Sequence, residues 1–311
     1  MINSVRNTVL SILNKNNYGY ISPSDFNLFA KQAQLEIFDE YFSKYNQSLN
    51  AENGRGSGTE YADRTKRIEE AINVFSVSKF LKHNSANKFS MPSLLTTNDD
   101  YYMINRVICY TSKLASGTTD GTTADRLVDS TVDFTTLGIN IGDIVSNTSD
   151  KVTTTVTGVF TTYLTVEDDI FESGEGYAVY DSNKFVEAEK VNQSKISILR
   201  NSLLTAPSLQ FPAYTEEGNV MSVFPNSIQD QGAVFSQYIR YPRDPKWTYI
   251  DLIGGEPAFN SSASDYQDFE VPIEDEPLLV TKILQYAGLS IREGSVVQAA
   301  SNEEIKSMQT Q

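Results

Sequence analysis

The stretch VDSTVDFTTLGINIGDIVSN, residues 128–147, marks a change in the character of the chain. Before it, apolar residues recur among polar ones at three- and four-residue spacing, which is typical of amphipathic helices. Within it, short alternating runs rich in Thr, Val, Asp and Gly are typical of strands joined by tight turns. The sequence therefore predicts a small β-unit here. Its candidate core residues are Phe134, Ile141, Ile144 and Val145, and its turn residues are Gly138 and Gly142.

This β-unit extends over residues 112–182. Its candidate strands are residues 126–128, 143–147, 153–160, 163–166 and 177–181. Five short strands in about 70 residues are typical of a small barrel or sandwich. The segment holds 12 of the 40 acidic residues and only 3 of the 25 basic ones. A calcium site at Asp168 and Asp169 is disfavoured, because no Asp-x-Asp-x-Asp-Gly loop is present.

Helical patterns dominate the two ends of the chain. A first helix is expected over residues 3–14, and a second begins at Pro23, with Ser22 as N-cap and Asp25 closing a capping box, and runs to about Tyr45. A flexible loop is expected at residues 50–59, then a third helix over 60–82 with His83 capping its C-terminus. The last helix opens at Asp275-Glu276-Pro277 and is expected to stop at Gly294.

Between the β-unit and the last helix the pattern is mostly strand-like. Strands are expected at residues 209–211, 220–224 and 234–241, whereas residues 196–204 fit a helix or a strand. The sequence thus predicts an α+β fold, in which a helical body with flanking β-strands carries an inserted small all-β domain, either a barrel or a sandwich. The expected domains are residues 1–111 and 183–311 for the body and 112–182 for the insert.

The composition excludes several kinds of chemistry. The 311-residue chain has one cysteine, Cys109, and one histidine, His83, so neither an intrachain disulfide nor a thiolate-rich metal site can form. Its formal charge of −15 repels nucleic acid phosphate. No apolar run approaches the roughly 20 residues that span a bilayer, and no signal peptide is expected at the N-terminus. We therefore expect a protein that stays inside the cell until lysis, with no membrane contact.

No motif in the sequence supports catalysis or cofactor binding. Gly54, Gly56 and Gly58 form a G-x-G-x-G run, but no strand precedes it and no Gly-Lys-Ser/Thr follows. Cys109 lies in the apolar run VICY and is expected to be a buried strand residue. A cell-wall hydrolase would need a carboxylate pair or a histidine or cysteine constellation, and none is recognisable. We predict no catalytic, cofactor or metal residues and a protein that is not an enzyme.

The stretch YIRYPRDPKWTY, residues 238–249, is the best candidate for a binding surface. It interleaves basic and aromatic side chains, as a nucleic acid stacking surface does, but the acidic charge of the chain disfavours that use. A protein-docking loop anchored by Trp247 and Tyr249 fits better, because Trp, Tyr and Arg are common interface anchors. The candidate interface residues are Tyr238, Arg240, Arg243, Lys246, Trp247 and Tyr249.

Two parts of the sequence resemble phage virion proteins. Within residues 124–180 the pattern Leu-x-Asp-Ser-x-x-Asp-Phe, then Gly-x-x-x-Gly-Asp-x-Val-x-Asn-Thr, then Val-x-x-Val and Leu-Thr-Val resembles a β-module that recurs in such proteins. The N-terminal helical hairpin, the stretch YIRYPRDPKWTY and the late helix DEPLLVTKILQYAGLSIRE are similar, in their order, to head-to-tail adaptor or ring proteins of short-tailed phages, especially crAss-like phages.

This resemblance implies a structural role in the virion. Members of the family form a ring, usually twelve-fold, that links the portal to the tail while DNA passes through without specific binding. We therefore expect a homo-oligomer that contacts the portal and other tail or ring proteins, made in the host cytoplasm and residing in the virion. The family implies no catalytic residues and no cofactor. The alternative is a tail-associated, fibre-docking or carbohydrate-binding module that uses the inserted β-unit.

Overall fold

The computed structural model describes residues 1–14, 21–55 and 62–291, which form a mixed α and β fold with several sheets. The chain divides into two compact units. We call the described parts of Met1–Phe75 and Tyr241–Gln311 the helical unit, and Ser76–Arg240 the sheet unit.

Five α-helices are present in the described residues. They are α1 (Ile2–Asn14), α2 (Pro23–Arg55), α3 (Ala62–Asn73), α4 (Gln193–Arg200) and α5 (Glu276–Ile291). Ser22 is the N-cap of α2 as predicted, because its hydroxyl accepts a hydrogen bond from the Asp25 amide at 3.1 Å, and the Asp25 carboxylate accepts from the same hydroxyl at 2.7 Å. The stop predicted for the last helix, Gly294, lies outside the described residues.

Helices α1, α2, α3 and α5 belong to the helical unit. Aromatic side chains help to join them: Phe29 of α2 stacks on Tyr286 of α5 at 6.3 Å between ring centroids, and Phe38 of α2 meets Phe75, just after α3, edge-on at 5.1 Å. An ionic cluster adds to this packing, since the buried Lys282 on α5 reaches Glu36 at 3.0 Å and Glu40 at 2.6 Å on α2. A buried ammonium needs such partners, and they fix how α5 lies along α2.

Eighteen strands complete the described structure. They are β1 (Ser76–Phe80), β2 (His83–Ser85), β3 (Lys88–Ser90), β4 (Tyr101–Tyr110), β5 (Lys113–Thr118), β6 (Gly121–Thr123), β7 (Arg126–Val128), β8 (Ile144–Asn147), β9 (Val152–Val159), β10 (Tyr163–Val166), β11 (Gly176–Tyr180), β12 (Phe185–Glu187), β13 (Glu189–Lys190), β14 (Ala213–Glu217), β15 (Val220–Phe224), β16 (Val234–Arg240), β17 (Tyr249–Asp251) and β18 (Pro257–Phe259). Three sheets lie in the sheet unit, with strand orders β1-β16-β4-β12, β5-β11-β8-β9-β10-β7-β6 and β13-β14-β15-β3-β2. The hairpin β17-β18 lies in the helical unit.

The seven-stranded sheet takes all its strands from residues 113–180. Its first and last strands, β5 and β6, are joined by only Thr119 and Asp120, so the sheet curls around one core. That core contains Phe134 and Val145 as the sequence predicts, and Gly138 and Gly142 have the positive φ values expected of turn glycines. The remaining buried residues of this core are Leu127, Ile139, Val156, Leu164, Val166, Phe171, Tyr177 and Val179.

Ile141, the fourth predicted core residue, is 74% exposed. The prediction is wrong because the turn through Gly142 re-aims the backbone, and Ile139 enters the core two residues earlier. Ile144 is buried, but it faces a different core together with Ala178 and Tyr180. Strands β8 and β11 therefore bury both faces, one inside the seven-stranded sheet and one against the other strands of the sheet unit.

Two predicted helical or loop segments are corrected by the structure. The predicted loop at residues 50–59 is helical as far as Arg55, and residues 56–59 lie outside the described part. Helix α2 continues because helix growth is cooperative and one glycine costs only about 1 kcal/mol of helix stability. The predicted third helix ends at Asn73, and β1 then pairs with β16 over five residues. Tertiary pairing here overrides the helical spacing.

His83 consequently caps no helix. It begins β2, its backbone amide donates to Gln231 Oε1 at 2.8 Å, and its ring meets Phe89 edge-on. The strand predicted at residues 209–211 is also absent from this described segment; the chain forms β14 a few residues later, where Ala213–Glu217 pairs with β15. Of residues 196–204, for which helix and strand were both open, residues 196–200 belong to α4 and residues 201–204 form neither a helix nor a strand.

Candidate assembly surfaces

The six candidate interface residues are divided between the two units of the chain. Tyr238 and Arg240 lie on β16 in the sheet unit, where both are buried. Arg243, Lys246, Trp247 and Tyr249 lie in the helical unit. Their use as an interface stays a prediction, and the surroundings of each decide which of them a partner can reach.

Tyr238 and Arg240 contribute to the interior of the sheet unit. Arg240 Nε lies 3.8 Å from Asp99 Oδ1, and Lys79 Nζ lies 2.6 Å from Asp99 Oδ2. Asp99 is almost fully buried, so the two cations compensate its charge. This ionic cluster holds the segment before β4 against β1 and β16, and it leaves these side chains little surface for a partner.

Trp247 is the buried anchor of the segment that follows Tyr241. Its indole is 2% exposed, and its Nε1–H donates to Asn3 Oδ1 on α1 at 3.0 Å. Its backbone amide donates to Asn27 Oδ1 on α2 at 2.8 Å, and the Arg6 guanidinium lies 3.8 Å from the ring centroid. Trp247 therefore fixes this segment to two helices of its own chain.

The hairpin β17-β18 projects from this anchor. Tyr249 and Phe259 at its base stack on Trp247, with centroid separations of 5.7 and 5.9 Å. Tyr249 is still about half exposed despite this stack, and towards the tip Ile250 and Leu252 are about half exposed and Ile253 is fully exposed. We call residues 249–259 the apolar hairpin. Large exposed apolar groups in one place mark interaction sites.

A second exposed apolar feature lies in the sheet unit between α4 and β14. Leu203 and Leu204 are fully exposed, and Phe211 is 77% exposed. Ile198 at the end of α4 and Leu209 are also exposed. We call residues 198–211 the apolar arm. Turn hydrogen bonds hold its backbone, including Ala206 N–H to Ser202 O at 3.0 Å and Phe211 N–H to Ser208 O at 3.1 Å.

The charges around the two features are opposite in sign. The arm and its flanks, residues 191–215, contain Lys195 and Arg200 but no acidic residue. The hairpin contains Asp251 and Glu256, and no basic residue occurs in residues 248–281. Within the described residues none of these four side chains has an ion-pair partner.

The acidic residues of the seven-stranded sheet mostly brace its turns. Asp133 accepts from the Thr135 amide at 3.0 Å, and the fully buried Asp143 accepts from the Asn140 amide at 2.8 Å. Asp120, Asp169, Glu175 and Asp181 also accept from backbone amides, whereas Glu167 and Asp168 accept from the hydroxyls of Thr155 and Thr154. The acidity of this segment is therefore largely a consequence of its turn architecture.

Asp129 performs a similar task inside the sheet. Its Oδ1 accepts from the Thr131 amide at 2.9 Å, and its Oδ2 accepts from the Tyr177 hydroxyl at 2.8 Å. Burial, and then the hydrogen bond to Asp129, raises the pKa of Tyr177 above its ordinary value. The Tyr177 hydroxyl therefore keeps its proton and donates it to Asp129, and this hydrogen bond braces the inside of the sheet.

The described groups most suited to chemistry are buried or already paired. Cys109 is fully buried on β4 as predicted, and burial raises the pKa of its thiol to about 12. Among the residues that the structure describes, no three side chains of His, Cys, Asp or Glu could hold a metal ion. A surface cavity of about 360 Å³ is lined in part by Arg106, Glu187, Lys190 and Tyr214. Its cations are already paired, Arg106 with Glu187 at 3.6 Å and Lys190 with Glu216 at 2.6 Å.

The seven-stranded sheet shows one partly exposed aromatic pair. Phe160 and Tyr163 stack at 4.5 Å, and the Arg126 guanidinium lies 4.5 Å from the Tyr163 centroid. Rings that stack on each other do not lie side by side as a flat platform. This geometry gives little support to sugar binding by this part of the chain.

The sequence pattern missed both apolar features. The arm was expected to contribute a strand at residues 209–211, and the tip of the hairpin was not singled out. A signal was present, because residues 201–212 contain two prolines, four large apolar residues and no charge. Such a segment is neither a polar loop nor a regular element.

No protein family matches this chain, and no curated protein is significantly similar to it. None of the helices within residues 1–14, 21–55 and 62–291 is long and apolar enough to cross a membrane.

Proposed function

We propose that this chain is a structural protein of a phage virion, whose copies form a ring that joins the portal to the tail around the DNA passage. One observation carries the proposal: the apolar arm of the sheet unit and the apolar hairpin of the helical unit each present large apolar side chains to solvent. A head-to-tail contact between copies uses two different surfaces of one chain, and such contacts form a closed ring when the rotation from one copy to the next closes.

Two further observations support the same role. The order of the helical hairpin, the segment around Trp247 and the late helix resembles head-to-tail ring proteins, and in this chain the helices of that order are α1, α2 and α5. The net charge of −15 disfavours binding to DNA phosphates, so DNA can slide past such a ring. On this proposal the protein is not an enzyme and uses no cofactor.

The proposal also includes a finer view of the fold. Residues 112–182 act as a β-module inserted into a body made of residues 1–111 and 183–311. The module has its own core around Phe134, while β8 and β11 attach it to the neighbouring strands through Ile144, Ala178 and Tyr180. Twelve copies are expected in the ring, from the resemblance alone.

The proposal is tested by binding to the portal protein encoded with this chain. Purified wild-type protein is mixed with assembled portal, and the complex is measured by sedimentation velocity. We expect a complex that is larger than portal by a fixed multiple of the chain mass. A protein that remains monomeric alone and also ignores portal would refute the proposal.

A further inference from the structure

We infer that the apolar arm of one copy packs on the apolar hairpin of the next copy, so that this pair of surfaces is the repeated contact of the ring. The inference rests on the proposed ring function and names the contact that builds it. The arm belongs to residues 198–211 of the sheet unit, and the hairpin to residues 249–259 of the helical unit.

Both surfaces are organised before they meet a partner. The arm is held by its turn hydrogen bonds, with the Ser208 amide also donating to Phe211 O at 3.2 Å. The hairpin is held by three residue pairs between β17 and β18, by the bond from Leu252 N–H to Glu256 O at 3.0 Å, and by the stack on Trp247. Ordered surfaces lose little conformational entropy on binding, so their exposed Leu, Ile and Phe side chains contribute most of their burial to affinity.

Charge selects the pairing of arm with hairpin. Lys195 and Arg200 flank the apolar residues of the arm, and Asp251 and Glu256 flank those of the hairpin. An arm-to-arm contact would bring like positive charges together, and a hairpin-to-hairpin contact would do the same with negative ones. Only the mixed contact surrounds an apolar centre with opposite charges, which is the usual arrangement of a specific interface.

The exposed residues of the segment before β4 make a useful contrast. Leu95 is as exposed as Leu204, but the exposed Asp100 accepts a hydrogen bond from the neighbouring Leu94 amide at 3.0 Å, and residues 89–105 contain no basic residue. Acidic surroundings would repel the acidic hairpin. Leu95 therefore serves as a control position that is apolar and exposed but has the wrong charge environment.

Cross-linking between copies tests the inference. In a Cys109→Ala background, chains carrying Leu204→Cys are mixed with chains carrying Ile253→Cys, assembled alone or on portal, and treated with a short bismaleimide. Because each chain then holds a single cysteine, a cross-linked peptide joining residues 204 and 253 must come from two copies. We expect this product to dominate, and we expect little product when Leu95→Cys replaces Leu204→Cys.

Charge exchange gives a second readout. Lys195→Glu with Arg200→Glu should weaken assembly, and so should Asp251→Lys with Glu256→Lys on the hairpin. The chain that carries all four changes should recover most of the wild-type assembly, since the opposite charges face each other again. Leu204→Ser tests the contribution of apolar burial to assembly, and it should raise the protein concentration needed for assembly by about ten- to a hundred-fold.

The outcomes separate this inference from the ring proposal. Assembled particles without the 204–253 cross-link, or with mainly 204–204 cross-links, overturn the inference and leave the ring proposal standing. Failure of the four-change chain to recover also counts against the pairing. A wild-type protein that stays monomeric alone and with portal overturns both.

Discussion

Replacing Trp247 with alanine separates an internal anchor from a partner-facing one. The indole is buried against Asn3, Arg6, Tyr249 and Phe259, so its removal should cost about 3–5 kcal/mol of unfolding free energy, as for other buried aromatic residues. For a unit of this size each kcal/mol lowers the melting temperature by about 2–4 °C. We therefore expect Trp247→Ala to lower it by about 6–20 °C.

The measurement requires a background in which assembly does not add to stability. Ile253→Ser provides it, because Ile253 is fully exposed and its replacement should change the free energy of unfolding by less than about 0.5 kcal/mol. Scanning calorimetry of Ile253→Ser with and without Trp247→Ala then isolates the contribution of the indole. The reasoning is refuted if Trp247→Ala shifts the transition by less than about 2 °C in this background but abolishes assembly in the wild-type chain. Trp247 would then face a partner.

Three other substitutions or treatments test the sheet unit. In urea titrations, Phe134→Ala should lower the free energy of unfolding of this unit by about 3–5 kcal/mol, whereas Ile141→Ala should change it by less than about 0.5 kcal/mol. Similar losses for the two variants would contradict the assigned core. The thiol of Cys109 has a pKa of about 12, so it stays protonated at pH 8 and should resist iodoacetamide until urea unfolds the chain. Mass spectrometry measures the alkylation, and fast alkylation of the native protein would show that the thiol is accessible. Gly232→Ala should lower the free energy of unfolding by about 1–3 kcal/mol, because Gly232 has φ of +83° and the added Cβ would lie 2.9 Å from Ser146 Cβ. An unchanged melting temperature would contradict the backbone geometry.

Strands inside the β-unit were predictable because their signals are local. Tyr163–Val166 and Arg126–Val128 are flanked by turn residues and alternate in polarity, and both form strands with the predicted bounds. The same is true of Val220–Phe224. Cys109 was predictable as a buried strand residue, since its neighbours are apolar.

Other features depend on contacts that the sequence does not show. Residues 76–80 have helix-compatible spacing and become a strand only because β16 lies beside them. Ile141 and Ile139 are equivalent in the pattern, and the turn at Gly142 decides which is buried. Trp247 is a residue type common among interface anchors, but its hydrogen bonds to Asn3 and Asn27, more than two hundred residues away in sequence, hold it inside its own chain.

The arm and the hairpin show why the candidate surface was only partly predictable. The aromatic and basic content of residues 238–249 predicts a binding surface there, and Tyr249 at the end of that stretch does begin the exposed hairpin. The exposure of Leu203, Leu204 and Ile253 depends on the absence of covering residues, which only the folded chain reveals.

The most direct test of the central claim is the native mass spectrum of the wild-type protein, alone and mixed with portal. The account predicts a closed assembly at one integer multiple of the chain mass, with twelve copies expected, in at least one of the two samples. It also predicts that Leu204→Ser and Ile253→Ser each shift that assembly toward monomer, while Leu95→Ser does not. A wild-type protein that is monomeric in both samples would contradict the account.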